Sequence, residues 1–467
     1  ILALLYLIAI LPLSDADSIA YHLNSILYLF ENGIKNEISL YKFLEFSLLS
    51  NSELLLFFSI FFGSDNFGAQ LNIVSIIIFS LFFLKEKKLF SLILLSCPLI
   101  IFFVSTQKLQ MFFGLLFLLL FYLVHYKKIK SNIEIFLFII LIFFYSSGKI
   151  SYILYSVPLF IYFLMINLKK IKFIFFSSLV AFCTIYFPIF YVKFILFGNP
   201  ISPLLSNIFF NNSEIFEPFI YSIRSSEGWL DGKLKNVLLP FFPINISKLT
   251  SSLGLCFLLL LFNLKLQKKL NYIPALLAII ILGTGQVLSR YFIEIFLILA
   301  FFCNQKNRLI LWTSFLQLFF VIIFTFVFIF KSYIELNVLK NTFNYKKNFS
   351  YTFINNQRLN KLNLQENILN FYDARPSIYS NKNVFSTRYI DVKSILNKND
   401  YEKNLSNFIN ENKIKIIITN DDDKLIECIE KTKINEIYFE KKVRNFLIQN
   451  KPKKASIFLV NNTCKSH

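Results

Sequence analysis

The chain has 467 residues, 56% of them hydrophobic and 16% charged, and no single water-soluble core holds so large an apolar share. Lys plus Arg number 48 against 28 Asp plus Glu, a formal net charge of +20. In a soluble protein that balance would point to nucleic acid, but here the positive residues before 330 sit largely in the breaks between apolar runs, and no basic-aromatic RNA-binding motif occurs. A soluble enzyme is thereby excluded and no nucleic-acid partner is expected. An outer-membrane barrel is excluded too, since runs such as 115–123 are apolar on every face and not at period 2.

Residue 1 is Ile, and the opening run 1–13 reads as the tail of a first helix, with a cleaved signal peptide as the alternative. Two amphipathic stretches, 19–30 and 38–62, follow and read as helices lying on the membrane surface. Further spans read as 67–84, 89–104, 109–126, 133–146, 150–168, 173–191, 249–264, 272–288, 291–303 and 309–330. The expected fold is therefore an all-α multispan membrane protein of about eleven transmembrane helices. If the spans alternate sides, the lysine-rich breaks 85–88, 127–130, 169–172, 265–269 and 306–308 share one face, which the positive-inside rule makes cytoplasmic. The opposite, external face receives loops 14–65 and 192–248, the ends at Lys149 and Arg290, and the tail.

From about 332 the hydrophobic runs shrink to strand length, as at 415–419 and 456–460, and alternate with polar helical stretches such as 401–412. That predicts a small external α/β domain over 332–467 behind a transmembrane domain over 1–331. The tail carries no GxGxxG and no P-loop, and the acidic run Asp421, Asp422 and Asp423 reads as a solvated turn, with a cation site as the alternative. Cys97, Cys183, Cys256 and Cys303 lie in apolar runs, where a free thiol acts as a small hydrophobe, while Cys428 and Cys464 fall in the tail. With three histidines, no HExxH and no paired CxxC, the sequence offers no metal motif.

Ionisable groups at a membrane mouth are informative, because burying a charge there is costly without a partner or a task. Asp15 and Asp17 open the first external loop, while Lys149 and Arg290 stand at the external ends of distant helices. A carboxylate facing two cations in a half-desolvated mouth suits chemistry on an anionic lipid head group, the cations holding phosphate and the carboxylate taking a proton. Each residue also has a plainer reading: Asp17 as a helix N-cap, Lys149 and Arg290 as interface anchors, His22 as a packing residue.

The segment Ser14-Asp15-Ala16-Asp17-Ser18-Ile19-Ala20-Tyr21-His22-Leu23 resembles the first-loop signature of GT-C membrane glycosyltransferases, in the branch that includes protein O-mannosyltransferases and the aminoarabinose transferase of lipid A. In that family an acidic residue follows the first helix, often with an aromatic four places on, as Asp17 and Tyr21 do here. Gly148-Lys149 at a helix mouth, Gly198-Asn199-Pro200-Ile201-Ser202-Pro203 opening a long external loop, and Arg290-Tyr291 starting a late helix are similar in order and placement. The family's acidic pair is often Asp-Glu, whereas Ser18 follows Asp17 here, so the partner acid is Asp15 or absent. Some relatives hold a divalent cation between loop carboxylates and others none, which leaves a metal requirement open.

The resemblance implies inverting transfer of a sugar from a polyprenyl-phosphate donor to a hydroxyl on a glycan, lipid or protein acceptor. Asp17 would act as general base, with Asp15 beside it; Lys149 and Arg290 would stabilise the leaving phosphate, His22 would orient base or donor, and Tyr21 would stack on sugar, with Tyr291 beside Arg290 on the substrate. The site would face the exterior of a bacterial plasma membrane. An O-antigen ligase or polymerase is the competing enzyme, and a multispan lipid or solute transporter the competing non-enzyme. A transporter would hide polar residues in broken helices at mid-membrane and often shows an internal repeat; neither is evident. Arg224 is alone in the loop where a ligase would place several arginines.

Overall fold

The computed structural model describes, short gaps and isolated positions apart, residues 1–11, 18–34, 49–202, 238–262, 288–335, 367–371, 384–386, 400–419, 429–439 and 453–462. The chain is mostly helical, with a small sheet near its C-terminus. It divides into two units, residues 1–11, 48–330 and 444–446, and residues 12–47, 331–443 and 447–467.

In the first unit, α1 (Leu2–Ala9), α2 (Asn51–Leu55), α3 (Phe57–Phe61) and α4 (Phe67–Phe83) are followed by α5 (Lys88–Ser96) and α6 (Leu99–Val104). The sequence reads 89–104 as one span, but Cys97 is extended and Pro98 starts a new turn. Proline offers no N–H and pushes the residue before it out of the helical region, so a uniformly apolar run folds as two helices. Then come α7 (Gln110–Tyr122), α8 (Asn132–Ser147), α9 (Ile150–Ile166), α10 (Ile171–Ala181) and α11 (Phe187–Phe197), then α12 (Leu255–Phe262), α13 (Ile293–Phe302) and α14 (Arg308–Glu335). A reciprocal capping box starts α8: the Ser131 hydroxyl accepts from Glu134 N at 3.1 Å, and Glu134 accepts from Ser131 N at 3.0 Å. Gly198, left-handed at φ 63°, ends α11.

The expected count of about eleven spanning helices is corrected by helix length. Among the described residues three helices are long and apolar enough to cross a membrane: Gln110–Lys127, Leu168–Phe197 and Arg308–Phe330. Phe67–Phe83, Asn132–Ser147, Ile150–Ile166 and Leu249–Phe262 are apolar but shorter. At 1.5 Å per residue a 16-residue helix such as α8 reaches about 24 Å, less than the ~30 Å hydrocarbon core. Hydropathy cannot show where a proline or a tight turn cuts a run. Most of the expected span 272–288 lies outside the described residues.

The long helices leave large apolar side chains exposed, among them Phe175 at 71% and Trp312 at 70%. An apolar surface of that extent suits lipid and is rare on soluble monomers. By contrast α6, α7 and α13 are almost wholly buried in the middle of the bundle, apolar all round.

The bundle has two chemically different ends. At one, Lys170 Nζ donates to the Lys130 carbonyl and, at 2.8 Å, to Asn132 Oδ1, while Lys87 stands 5.3 Å from the Phe301 ring and Tyr126 stacks on Phe302 at 5.6 Å. The described members of four lysine-rich breaks therefore lie at helix ends of the same sense. The other end carries the Gly148–Lys149 turn, the Arg290 turn and the α6–α7 loop.

In the second unit, β1 (Asn367–Asn370), β2 (Val384–Ser386), α15 (Tyr401–Glu411), β3 (Ile414–Thr419), β4 (Glu430–Phe439) and β5 (Lys453–Asn462) form one sheet with a helix. The strand order is β2-β1-β3-β5-β4, with β1 parallel to β2 and β3, and β5 antiparallel to β3 and β4. Alternation splits the core between two faces: Leu369 and Ile417 join Leu405, Phe408 and Ile409 of α15, while Ile368, Ile416, Ile418 and Ile457 form the other cluster. This is the small α/β arrangement that the tail's short strands predict.

Candidate functional site

The polar end of the helical unit is built around Gly148. A Cβ at this position would lie 2.5 Å from ring atoms of Phe113, so only glycine lets the end of α8 close on α7. The next residue, Lys149, is extended (φ −164°, ψ 145°) and opens α9. Across from it a tight turn, Ser289–Phe292, delivers Arg290 and Tyr291 to the start of α13. The Lys149 Nζ lies 5.1 Å and the Arg290 Cζ 5.3 Å from the centre of the same Tyr291 ring. Each contact is a cation–π interaction, and each holds a positive charge half-exposed at the mouth.

Two cations on one ring are no more than about 10 Å apart and repel by about 2 kcal/mol at an effective dielectric near 20. Two buried acid side chains lie close by. Glu294, one helical turn after Arg290 and 1% exposed, accepts a hydrogen bond from the Tyr145 phenol at 3.3 Å and lies within electrostatic reach of Lys149. Tyr145 stacks on Tyr152 at 4.9 Å, and Tyr152 has Glu294, Glu53, Tyr291 and Arg290 within the same reach. The Tyr155 phenol donates to the Tyr291 carbonyl and ties the cation-bearing turn to α9.

The second carboxylate comes from α2. Glu53, 6% exposed, accepts hydrogen bonds from the hydroxyls of Ser50 and, at 3.0 Å, Ser52. The Ser50 hydroxyl also lies 2.6 Å from the Gly148 carbonyl, and Asn51 donates to Ser147 at 2.7 Å and to the Ile185 carbonyl at 3.1 Å. Lys193, 5% exposed, donates to the Ser202 carbonyl at 2.6 Å and acts electrostatically on Glu53. Gly198-Asn199-Pro200 is thereby a built turn: Ile201 N donates to Asn199 Oδ1 at 3.0 Å while Lys193 holds its far end.

Of the residues singled out in the sequence, Lys149, Arg290 and Tyr291 come together. Asp15, Asp17 and Arg224 lie outside the described residues. Tyr21 and His22 fall in the short helical turn Ser18–Leu23 of the second unit, where His22 is half-buried and its carbonyl accepts from Ser25 at 3.3 Å. Among the described residues no three His, Cys, Asp or Glu side chains group as metal ligands. Sequence reasoning gave no role to Glu53, Glu294 or the tyrosines 145, 152 and 155. Their signals were available: Ser50-x-x-Glu53 is a capping-box pattern, Arg290 and Glu294 stand four apart, and Lys149, Tyr152 and Tyr155 recur at three-residue intervals. Chemically the cluster can clamp an anion on two cations at an aromatic platform. No protein-family model, no curated protein and no solved structure matches the chain.

Proposed function

We propose that the protein is an integral membrane glycosyltransferase that moves a sugar from a polyprenyl-phosphate donor to an acceptor hydroxyl at the external face of a bacterial plasma membrane. The observation that carries this reading is the convergence of Lys149 and Arg290 on the Tyr291 ring. An arginine fork and a lysine point charge held half-buried are the donor set for a phosphate whose tail lies in lipid. The gathering of lysine-rich loops at the opposite helix ends supports an external orientation for this mouth.

In the reaction the acceptor oxygen forms a bond to the anomeric carbon from the face opposite the phosphate, so configuration inverts. The carbon–oxygen bond to phosphate breaks and its electron pair leaves with the lipid phosphate, whose charge Lys149 and Arg290 stabilise. The acceptor hydroxyl gives its proton to a carboxylate, for which Asp17 is the candidate by its place after the first helix, with Asp15 as its neighbour. Tyr291 supplies the platform for the cations.

The test uses purified full chain in lipid nanodiscs with radiolabelled polyprenyl-phosphate hexoses and pentoses. Transfer or slow hydrolysis of one of them, reduced at least tenfold in Lys149→Met and in Arg290→Gln, is the expected result. A folded protein that neither binds nor consumes any such donor overturns the reading.

A further inference from the structure

Between Arg308 and Phe330 the long helix α14 carries a single carboxamide, Gln317. It lies about 14 Å along the axis from Arg308, near the middle of a ~30 Å hydrocarbon core. A carboxamide at that depth is costly unless its donors and its acceptor are met.

Gln317 meets them on two interrupted helices. Its Nε2 donates to the Ser96 carbonyl at 2.9 Å and the Leu253 carbonyl at 3.2 Å, and its Oε1 accepts from Cys256 N at 3.2 Å. Ser96 ends α5. In an unbroken helix its carbonyl would take Ile100 N, which here bonds the Cys97 carbonyl because Pro98 starts a new turn. Cys256 is the second residue of α12, so its N–H precedes the first bond within that helix. Gly254, at φ 91°, brings the chain so near that a Cβ there would lie 2.5 Å from the Gln317 amide. Beside it the Ser314 hydroxyl donates to the Ile310 carbonyl at 2.7 Å and lies 3.3 Å from Cys256 Sγ. The groups that the two interruptions free are thus met by one side chain of a third helix.

What this knot fastens leads to Arg290. The helical turn Ile246–Ser251 enters it, and the Ser251 carbonyl accepts from the Ser289 hydroxyl. Ser289, 2% exposed, is the first residue of the turn that carries Arg290 and Tyr291. Phe257, next to Cys256, lies 6.3 Å from Phe292, the last residue of that turn, and 6.0 Å from Phe296 of α13. Both ends of the Arg290 turn therefore rest on the segment 251–257. That segment is interrupted at Gly254 and is held by Gln317 on one side and by the Pro240 carbonyl on the other, which accepts from Leu253 N at 2.9 Å and Gly254 N at 3.1 Å.

We infer that Gln317 is a positioning residue for Arg290, acting through the Ser251–Ser289 hydrogen bond and the contact of Phe257 with Phe292. The inference deepens the proposed function: it rests on that reading for what Arg290 does, and not for where Arg290 is held.

The test is hydrogen–deuterium exchange of the full chain in lipid nanodiscs, comparing the turn 289–292 with the Lys149 turn 147–152. Gln317→Met keeps the size of the side chain and loses all three bonds; Ser289→Ala cuts the link at the turn without touching α14. Each should speed exchange in 289–292 at least tenfold and leave 147–152 unchanged. The double variant should loosen the turn by less than the two single effects combined, because both act on one connection. Gln317→Glu keeps an oxygen for Cys256 N and gives up a donor, so it should fold even where Gln317→Met does not, and show the same pattern more weakly. Faster exchange in both turns alike would make Gln317 a general packing residue and overturn the inference, as would unchanged exchange in 289–292. With a lipid-linked donor that is consumed, both single variants should raise KM at least threefold with kcat less altered; a fall in kcat alone would also overturn it. The selective exchange pattern in a chain that consumes no such donor would leave the positioning of Arg290 standing and remove the transfer reaction.

Discussion

The Tyr155 phenol donates a hydrogen bond to the backbone carbonyl of Tyr291, across 136 positions of sequence. Through it α9 fixes the short turn that carries Arg290, and α9 is also the helix that Lys149 opens. The two cations are thus placed by one helix, directly for lysine and through a tyrosine for arginine.

Tyr155→Phe keeps the ring and removes that bond. Such a bond contributes about 0.5–1.5 kcal/mol net, so the thermal midpoint should fall slightly. The larger effect should be on donor affinity, weakened severalfold in KM with kcat less altered, because the turn presenting Arg290 is loosened while the reacting groups remain. Steady-state kinetics on a lipid-linked donor measure this split. An unchanged KM would show that the turn holds its place without Tyr155.

Gly148→Ala should destabilise the helical unit by about 1–3 kcal/mol, the usual cost of forcing a methyl into packed space. The added carbon meets the Phe113 ring at 2.5 Å. Pairing it with Phe113→Leu makes room and should recover part of the loss, as a double-mutant cycle of unfolding midpoints would record. Full tolerance of the single change would mean that α7 and α8 do not close here.

Glu294→Ala leaves the Tyr145 phenol buried without its acceptor, at a cost of about 1–3 kcal/mol, whereas Glu294→Gln still offers an oxygen at the same reach. Unfolding should therefore rank wild type and Gln close together, with Ala well below. Equal loss in Gln and Ala would assign the stabilisation to the carboxylate's charge acting on Lys149 and not to the hydrogen bond.

How much of this was legible in the sequence varies with the physics behind each feature. The strands at 414–419 and 453–462 follow from apolar runs of strand length and the helix at 401–411 from an amphipathic face, and the structure has them within a few residues. Lys149 and Arg290 stood out because a charge at the end of an apolar run is conspicuous. Their meeting on Tyr291 did not, since no local rule brings residues so far apart together. Spans failed where backbone chemistry overrode hydropathy, as at Cys97-Pro98. Glu53 was hidden for another reason. It lies in a stretch that reads as a surface helix, and its burial depends on a partner turn at Ser147–Gly148 almost a hundred residues away.

The assignment of the base can be set against its nearest rival. Glu53 is buried and its carboxylate is occupied by the hydroxyls of Ser50 and Ser52, an arrangement that fixes α2 to the Gly148 turn. An acid so held serves architecture, so Glu53→Gln should lower the unfolding midpoint and reduce turnover less than tenfold. Asp17→Asn can still cap a helix and should leave the midpoint unchanged, while loss of a general base costs roughly 100-fold to 10,000-fold in rate. Asp15→Asn should cost less than Asp17→Asn unless a metal is bridged between them, in which case added divalent cation would shift wild-type turnover and leave both variants unmoved. The reverse ranking, a folded Asp17→Asn that transfers normally beside a folded but inactive Glu53→Gln, would move the base from the first loop to α2, next to the turn that carries Lys149.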